Sequence, residues 1–581
     1  MSARHVAVIL TIILSISHAS MPAFAQASPP PLRAQKFSQA RHGMVASASG
    51  LASQVGVDIL KRGGNAVDAA VAVGLALAVV YPEAGNLGGG GFMLIRLADG
   101  RSTAIDYREV APALASPTMY LDESGNVVKG ASLVGYWAVG VPGTVAGLAL
   151  AQRRYGKLSW RQVLDPARRL AARGFIVSPA LAQSLQKSTS LNDFAESRRI
   201  FLRGGKPFQT GEVLRQPDLA ATLERLATNG PREFYTGRTA RLLARDMAAH
   251  GGLVTLADLR RYRAVERTPL RGTYRGVGVL TMPPPSSGGV ALLEMLNVLE
   301  RHDVGEMGYQ TAATDHLLIE AMRRAFADRS AFGGDPDFVR VPVRGLISKA
   351  YAAQVDKTIR SAEATPSAKI GHGQPLAYES PETTHFSVVD AQGNAVSNTY
   401  TLNFLYGSGV TAVGTGVLLN DEMDDFASRP NTPNGFGLIQ GENNAIAPRK
   451  RPLSSMTPTI LTRHGKLLLV IGSPGGPTII NTVLQVIVNV IDHHMRLAQA
   501  IAAPRLHHQW LPDLIRFEPG ALPPSVRAAL LSQGHRFAPD AGVFPGSPAW
   551  GDAEGVSVGP VTGEKDGASD PRSKDARAVG Y

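Results

Sequence analysis

The chain has 581 residues, 44% hydrophobic and 18% charged, with a formal net charge of +12. That balance excludes a disordered or low-complexity chain, and the lack of cysteine excludes disulfides, thiolate zinc sites and a cysteine nucleophile. The basic residues are scattered, with few aromatic residues among them and no nucleic-acid motif, so the charge reads as a basic surface.

Arg4, the apolar run Val6 to Ile16 and the small-x-small sequence Ala23-Phe24-Ala25 predict an export signal over residues 1–25, cut after Ala25. The run is short for a bilayer span, so the mature protein, from Gln26, is expected in the periplasm or outside the cell. Leu51, Val55, Val57 and Leu60 recur at helical spacing until a Gly63-Gly64 stop. A second, Ala/Val-rich helix is predicted from about Asn65, with Asp68 in its first turn. Its later part, residues 71–81, reads as buried helix ended by Pro82. The loop GNLGGGG, residues 85–91, feeds a predicted strand at 92–97. Further strands are predicted near 102–106 and 276–281, and helices over 159–173, 218–228, 239–250, 289–301 and 314–327. This alternation is a mixed α and β chain. His385, His507 and His508 show no recognised ligand spacing, so neither a metal nor a cofactor is expected.

Residues 361–382 carry Pro366, Gly371, Gly373, Pro375 and Pro381 with little periodicity and read as an exposed connection. The stretch 383–403, TTHFSVVDAQGNAVSNTYTLN, is abruptly strand-like. Its β-prone runs flank Ala391-Gln392-Gly393, and a three-residue hairpin loop favours Gly at its last position. Asp390 then pairs with Asn394, Phe386 with Asn398 and Thr383 with Thr401, which sets two hydroxyls side by side next to the seam. A threonine hydroxyl is a weak nucleophile until a base takes its proton. Severing Glu382–Thr383 would free an α-amine of unperturbed pKa about 7.7–8.0 as that base. Cross-strand threonine pairs are more often structural, and the hairpin alone leaves both readings open.

The wider pattern resembles the γ-glutamyltranspeptidase family. Besides the hairpin it includes GGNAVDAAVA, GNLGGGGFM, DYREVAP, GVPGTVAGL, PPPSSGGV, LLNDEMDDF, RPLSSMTPTI, GSPGG, HHQWLPD and GASDPR, in order from about residue 40 to the C-terminus. The resemblance implies an α+β fold, the αββα four-layer sandwich of N-terminal-nucleophile hydrolases. It also implies self-cleavage between Glu382 and Thr383 into a large subunit, 26–382, and a small catalytic subunit, 383–581. The implied reaction moves a γ-glutamyl group from glutathione or a related donor through a threonine acyl-enzyme to water, an amino acid or a peptide. By position, Thr383 resembles the nucleophile, Thr401 its supporting hydroxyl, and Gly475 with Gly476 the oxyanion hole. Arg108, Ser454 and Ser455 resemble carboxylate binders; Glu422 and Asp425, with Asn403 beside them, resemble ammonium binders. Asp68, Asp106 and the glycines at 88–91 read as structural. Residues 430–441 resemble a lid loop, with Phe436 where the bacterial pattern has Tyr; Phe cannot donate the tyrosine hydroxyl bond.

Two other readings follow from the same residues. A glutaryl (cephalosporin) acylase or poly-γ-glutamate hydrolase would share the fold and nucleophile; the set Arg108, Asp425, Ser454 and Ser455 argues for a glutamyl α-amino acid instead. A secreted binding protein would use GNLGGGG as a phosphate loop, but that loop lacks the GxGxxG and Lys-Ser/Thr features.

Overall fold

The computed structural model describes residues 36–375, 385–539 and 550–581. The signal predicted at 1–25 and the Glu382–Thr383 bond lie outside these residues.

Asn65 starts the helix Ala66–Val80. Its side chain accepts from the Val67 and Asp68 amides, and Asp68 returns a bond to the Asn65 amide, a reciprocal cap. Every residue of this helix is buried, as a helix apolar on all faces requires. Asp68 also accepts the Lys157 and Leu158 amides and so ties two helices together. Ser159 caps the next helix, Trp160–Arg173. The helix expected at 314–327 runs Ala312–Phe332; Thr311 caps its start, and its buried charges find partners that sequence spacing does not reveal.

Two seven-stranded sheets form the middle of the molecule. The first runs, in spatial order, Arg577–Gly580, Met44–Ser47, Phe386–Val389, Ala395–Thr401, Gly90–Arg96, Ser102–Asp106 and Val265–Arg267. The second runs Phe37–Ala40, Lys565–Ser569, Glu554–Val558, Lys466–Gly472, Thr459–Arg463, Val277–Thr281 and Leu270–Tyr274. All neighbours are antiparallel.

The alternation of side chains along each strand assigns the layers. Val45, Met93, Ile95, Val388 and Val396 pack with Ala66–Val80 and neighbouring helices. Met44, Ala46, Phe92, Leu94 and Val389 meet Leu280, Ile460, Val470 and Val556 between the sheets. Val279, Leu461, Leu469 and Ile471 on the far face pack against Gly288–Leu299, Ala312–Phe332 and Thr478–Ile491. The result is the αββα four-layer sandwich, an α+β fold. Each fully buried Val, Leu, Ile, Phe or Met side chain contributes about 1.5–3 kcal/mol, and a one-residue slip would exchange the faces of a whole strand.

The hairpin has the expected register. Phe386 pairs with Asn398 and Val389 with Ala395; the Asp390 amide donates to the Asn394 carbonyl at 3.1 Å; Gly393 has φ +86°. The polar member of the Phe386–Asn398 pair is accommodated because its amide meets the Tyr107 hydroxyl at 2.7 Å. His385 fixes the start of the hairpin. Its Nδ1 meets the Ser397 hydroxyl at 3.0 Å and its Nε2 the Glu554 carbonyl at 2.9 Å, so it bridges the two sheets. Among the described residues no helix is long and apolar enough to cross a membrane.

Candidate active site

The strand Ala395–Thr401 ends at the site. The Thr401 hydroxyl accepts the Asn403 amide at 2.9 Å, and Asn403 takes φ +82°, a conformation sparsely populated by residues other than glycine. The Asn403 side chain donates to the Asp421 carbonyl at 3.1 Å. Directly after Asp421, Glu422–Asp425 forms one 3-10 turn, beyond the short strand Val417–Leu418. The Glu422 amide is capped by the Asn420 side chain at 3.1 Å.

Arg108 enters from the end of the strand Ser102–Asp106. Asp106 accepts its amide at 3.0 Å and is itself held by Arg267 at 2.8 Å. The Arg108 side chain is fully buried. Its guanidinium forks to the carboxylates of Glu422 and Asp425 and also donates to the Pro452 and Leu453 carbonyls at 3.2 Å. Those carbonyls precede Ser454 and Ser455, whose strap is tied to Ser286 and Ser287 through the Ser454 carbonyl at 2.9 and 2.8 Å. The Ser455 hydroxyl accepts from Arg329 at 3.1 Å.

Burial opposes the charge on Arg108, yet Glu422, Asp425 and Glu109 together hold it charged well above its usual range. Burial pushes the Glu422 carboxyl up, against the pull of Arg108. Glu109, 3.9 Å from Arg108, is pushed up by burial to about 8.

Gly475 and Gly476 follow the strand Lys466–Gly472 and precede the helix Thr478–Ile491. Their φ values, +130° and +57°, favour glycine. A Cβ at Gly476 would stand 2.8 Å from the Phe436 ring, so that ring lies against the turn. The loop around Phe436 is fastened by the Gly435 amide to Asp424 at 2.9 Å, and by Gln440 and Asn444 to the Asp425 carbonyl at 3.1 and 2.7 Å. These bonds fasten the loop without a tyrosine hydroxyl at 436.

Thr401, Asn403, Glu422, Asp425, Phe436, Ser454, Ser455, Gly475 and Gly476 line one cavity of about 530 Å³, within the range of small-molecule sites. Arg108 is not among the lining residues and stands behind Glu422 and Asp425. Thr383 and Glu382 lie outside the described residues. Three groups were missed in the sequence. Glu109 adjoins Arg108 in DYREVAP and was legible as a second buried acid. Arg329 lies on a helix whose faces are nearly all buried, where spacing carries no signal. Asp552 lines the cavity but belongs to no motif singled out above. The histidines are held by protein groups: His507 by Asn481 at 2.7 Å and His508 by Asp513 at 3.2 Å.

The family model for gamma-glutamyltranspeptidase matches residues 52–580. The glutathione hydrolase proenzyme of Escherichia coli (strain K12) is 51% identical over 545 residues, 94% of this chain and 92% of that protein. The crystal structure of a cephalosporin acylase from Bacillus halodurans has a TM-score of 0.82 at 28% identity, covering 96% of this chain and 99% of that one. A Helicobacter pylori gamma-glutamyltranspeptidase structure has a TM-score of 0.56 at 44% identity, covering 59% and 97%. A family match over nearly the whole length, on a fold and a cavity built from the motifs that the resemblance named, has one reading: the chain belongs to the γ-glutamyltranspeptidase family.

Proposed function

We propose that this self-processing γ-glutamyltransferase severs its own Glu382–Thr383 bond and uses Thr383 as nucleophile on glutathione and other γ-glutamyl compounds. In processing, the Thr383 hydroxyl attacks the Glu382 carbonyl and water cleaves the resulting ester. The products are a large subunit, 26–382, and a small subunit, 383–581, of a periplasmic or secreted enzyme freed of residues 1–25. In turnover the new α-amine takes the hydroxyl proton. The Thr383 oxygen bonds to the γ-carbonyl carbon, and the leaving amine departs with a proton. The Gly475 and Gly476 amides stabilise the oxyanion, and Thr401 steadies the nucleophile. Water, an amino acid or a dipeptide then takes the γ-glutamyl group.

The observation that carries the donor assignment is the buried fork by which Arg108 backs Glu422 and Asp425, the two acids that line the cavity. A γ-glutamyl group bears one α-carboxylate and one α-ammonium. Its ammonium exchanges onto the two acids while its carboxylate takes the guanidinium, with Ser454, Ser455 and Asn403 as further donors and acceptors. The protein's charges are already desolvated, so the exchange adds only the desolvation of the substrate's two charges, and a guanidinium grips a carboxylate with two parallel bonds. Phe436 and its loop act as the lid over the acyl-enzyme.

The second reading, a glutaryl or cephalosporin acylase, has in its favour the Bacillus halodurans cephalosporin acylase structure. A glutaryl group has no α-ammonium to meet Glu422 and Asp425. Rates on γ-glutamyl and glutaryl anilides separate the two: the γ-glutamyl compound is expected to be preferred, and a preference for glutaryl overturns the donor assignment.

A further inference from the structure

The cavity continues beyond the groups assigned to the γ-glutamyl moiety. Behind Gly475 the wall turns to Gly551 and Asp552: a Cβ on Gly475 would stand 3.0 Å from the Gly551 Cα, and the Asp552 amide donates to the Ser473 hydroxyl at 2.9 Å. The wall then passes to Ser573, Lys574 and Asp575, which also line the cavity. The Lys36 ammonium ties this run down, donating to the carbonyls of Ser573, Ala576 and Lys574 at 2.5, 2.6 and 3.1 Å. The acids and serines around Arg108 occupy the γ-glutamyl end. The side of Gly475 toward Asp552 therefore faces whatever is joined to the γ-carbonyl.

Asp552 is 8% exposed, and one of its carboxyl oxygens is buried without a hydrogen-bond partner. Such an oxygen is costly unless something charged or protic meets it. Burial and then the neighbouring Asp570 push the carboxyl up to about 7, against Ser573, Lys36 and Arg505, which pull it down. Glu554, on the strand that Asp552 precedes, is itself pushed up by burial and by Asp552. The titratable and charged groups facing Asp552 are thus Glu554, Asp570, Lys36 and Arg505, with the Tyr81 hydroxyl across the cavity. A carboxyl titrating near neutrality is matched to proton exchange with an amine.

We propose that Asp552 is a catalytic residue of the acceptor half-reaction, binding the ammonium of an incoming amino acid or dipeptide and taking one proton from it. This rests on the γ-glutamyl-transfer reading above. The neutral amine nitrogen then bonds to the γ-carbonyl carbon as the ester bond to the threonine oxygen breaks. The second amine proton returns to that oxygen through the threonine α-amine, and Asp552 releases its proton to water. The new amide, the free hydroxyl and one proton balance the acyl-enzyme and the ammonium consumed.

The test is the partition of one acyl-enzyme between glycylglycine and water, read as the ratio of γ-glutamyl-glycylglycine to glutamate formed from a γ-glutamyl anilide. The ratio is independent of acylation rate. In Asp552→Asn it is expected to fall at least about tenfold, the lower end of general-base effects being larger still, and Asp552→Glu restores most of it. In the unmutated enzyme the ratio rises through an ionisation near pH 7, below that of the acceptor ammonium at about 8, and this lower ionisation is absent from both hydrolysis and Asp552→Asn. An unchanged ratio in Asp552→Asn, or a ratio without that ionisation, overturns the proposal. An unmutated enzyme that is cut but inert on the γ-glutamyl anilide refutes the transfer reading instead.

Discussion

Phe436 lies face to face with Phe404, their ring centroids 4.3 Å apart and their planes 9° apart. The same ring rests against Gly476, so one aromatic contact couples the loop at 430–441 to the turn proposed as the oxyanion hole. Phe436→Ala removes both contacts. Donor kcat/KM is expected to fall about tenfold, equivalent to roughly 1.4 kcal/mol of transition-state stabilisation, with KM carrying most of the change. Steady-state kinetics on a γ-glutamyl anilide checks this, and an unaltered KM would show that the ring does not act as a lid.

Arg108 is the hub of a buried charge cluster, and removing it strands two acids. Loss of one partner of a buried pair costs about 3–5 kcal/mol, so Arg108→Met is expected to lower the melting temperature by several degrees as well as abolish turnover. Arg108→Lys keeps the charge but loses the fork that reaches Glu422 and Asp425 together. Its melting temperature should lie close to the parent, with donor kcat/KM down by about a hundredfold. Calorimetry and kinetics on the two variants separate the structural from the binding contribution.

Glu109 gives stability an unusual pH dependence. Burial raises its folded pKa to about 8, while the unfolded chain titrates near the ordinary glutamate value of about 4.3. Between these values the folded state holds the extra proton, so this group favours folding at low pH and that contribution is lost as pH rises through about 8. Both of its carboxyl oxygens are buried without hydrogen-bond partners. Glu109→Gln stays neutral throughout. The melting temperature of the variant relative to the parent is expected to rise steadily from pH 5 to pH 8; a flat difference would show that Glu109 is ionised in the fold.

Much of the architecture was legible because it is written in local periods. The hairpin from Phe386 to Thr401 follows from alternating residues and one glycine, and Asn65 with Asp68 announces the start of a buried helix. The site was legible only as a set of motifs. The contact between Arg108 and Glu422 joins positions 314 residues apart, and no spacing rule connects them. Arg329 was invisible for a different reason: on a helix buried on nearly every side, a charged residue looks like a solvated face until the partner, Ser455, is in place. Asp552 was missed because its significance comes from Gly475 and Ser573, brought beside it by separate strands.

The fate of the Glu382–Thr383 bond tests the central claim most directly. Purified protein on a denaturing gel, with N-terminal sequencing of each band, should give two chains of about 39 and 22 kDa at roughly 110 Da per residue. The smaller should begin at Thr383, and Thr383→Ala should remain one inactive chain. Active protein that stays in one piece, or a Thr383→Ala variant that is still cut at this bond, would contradict the account.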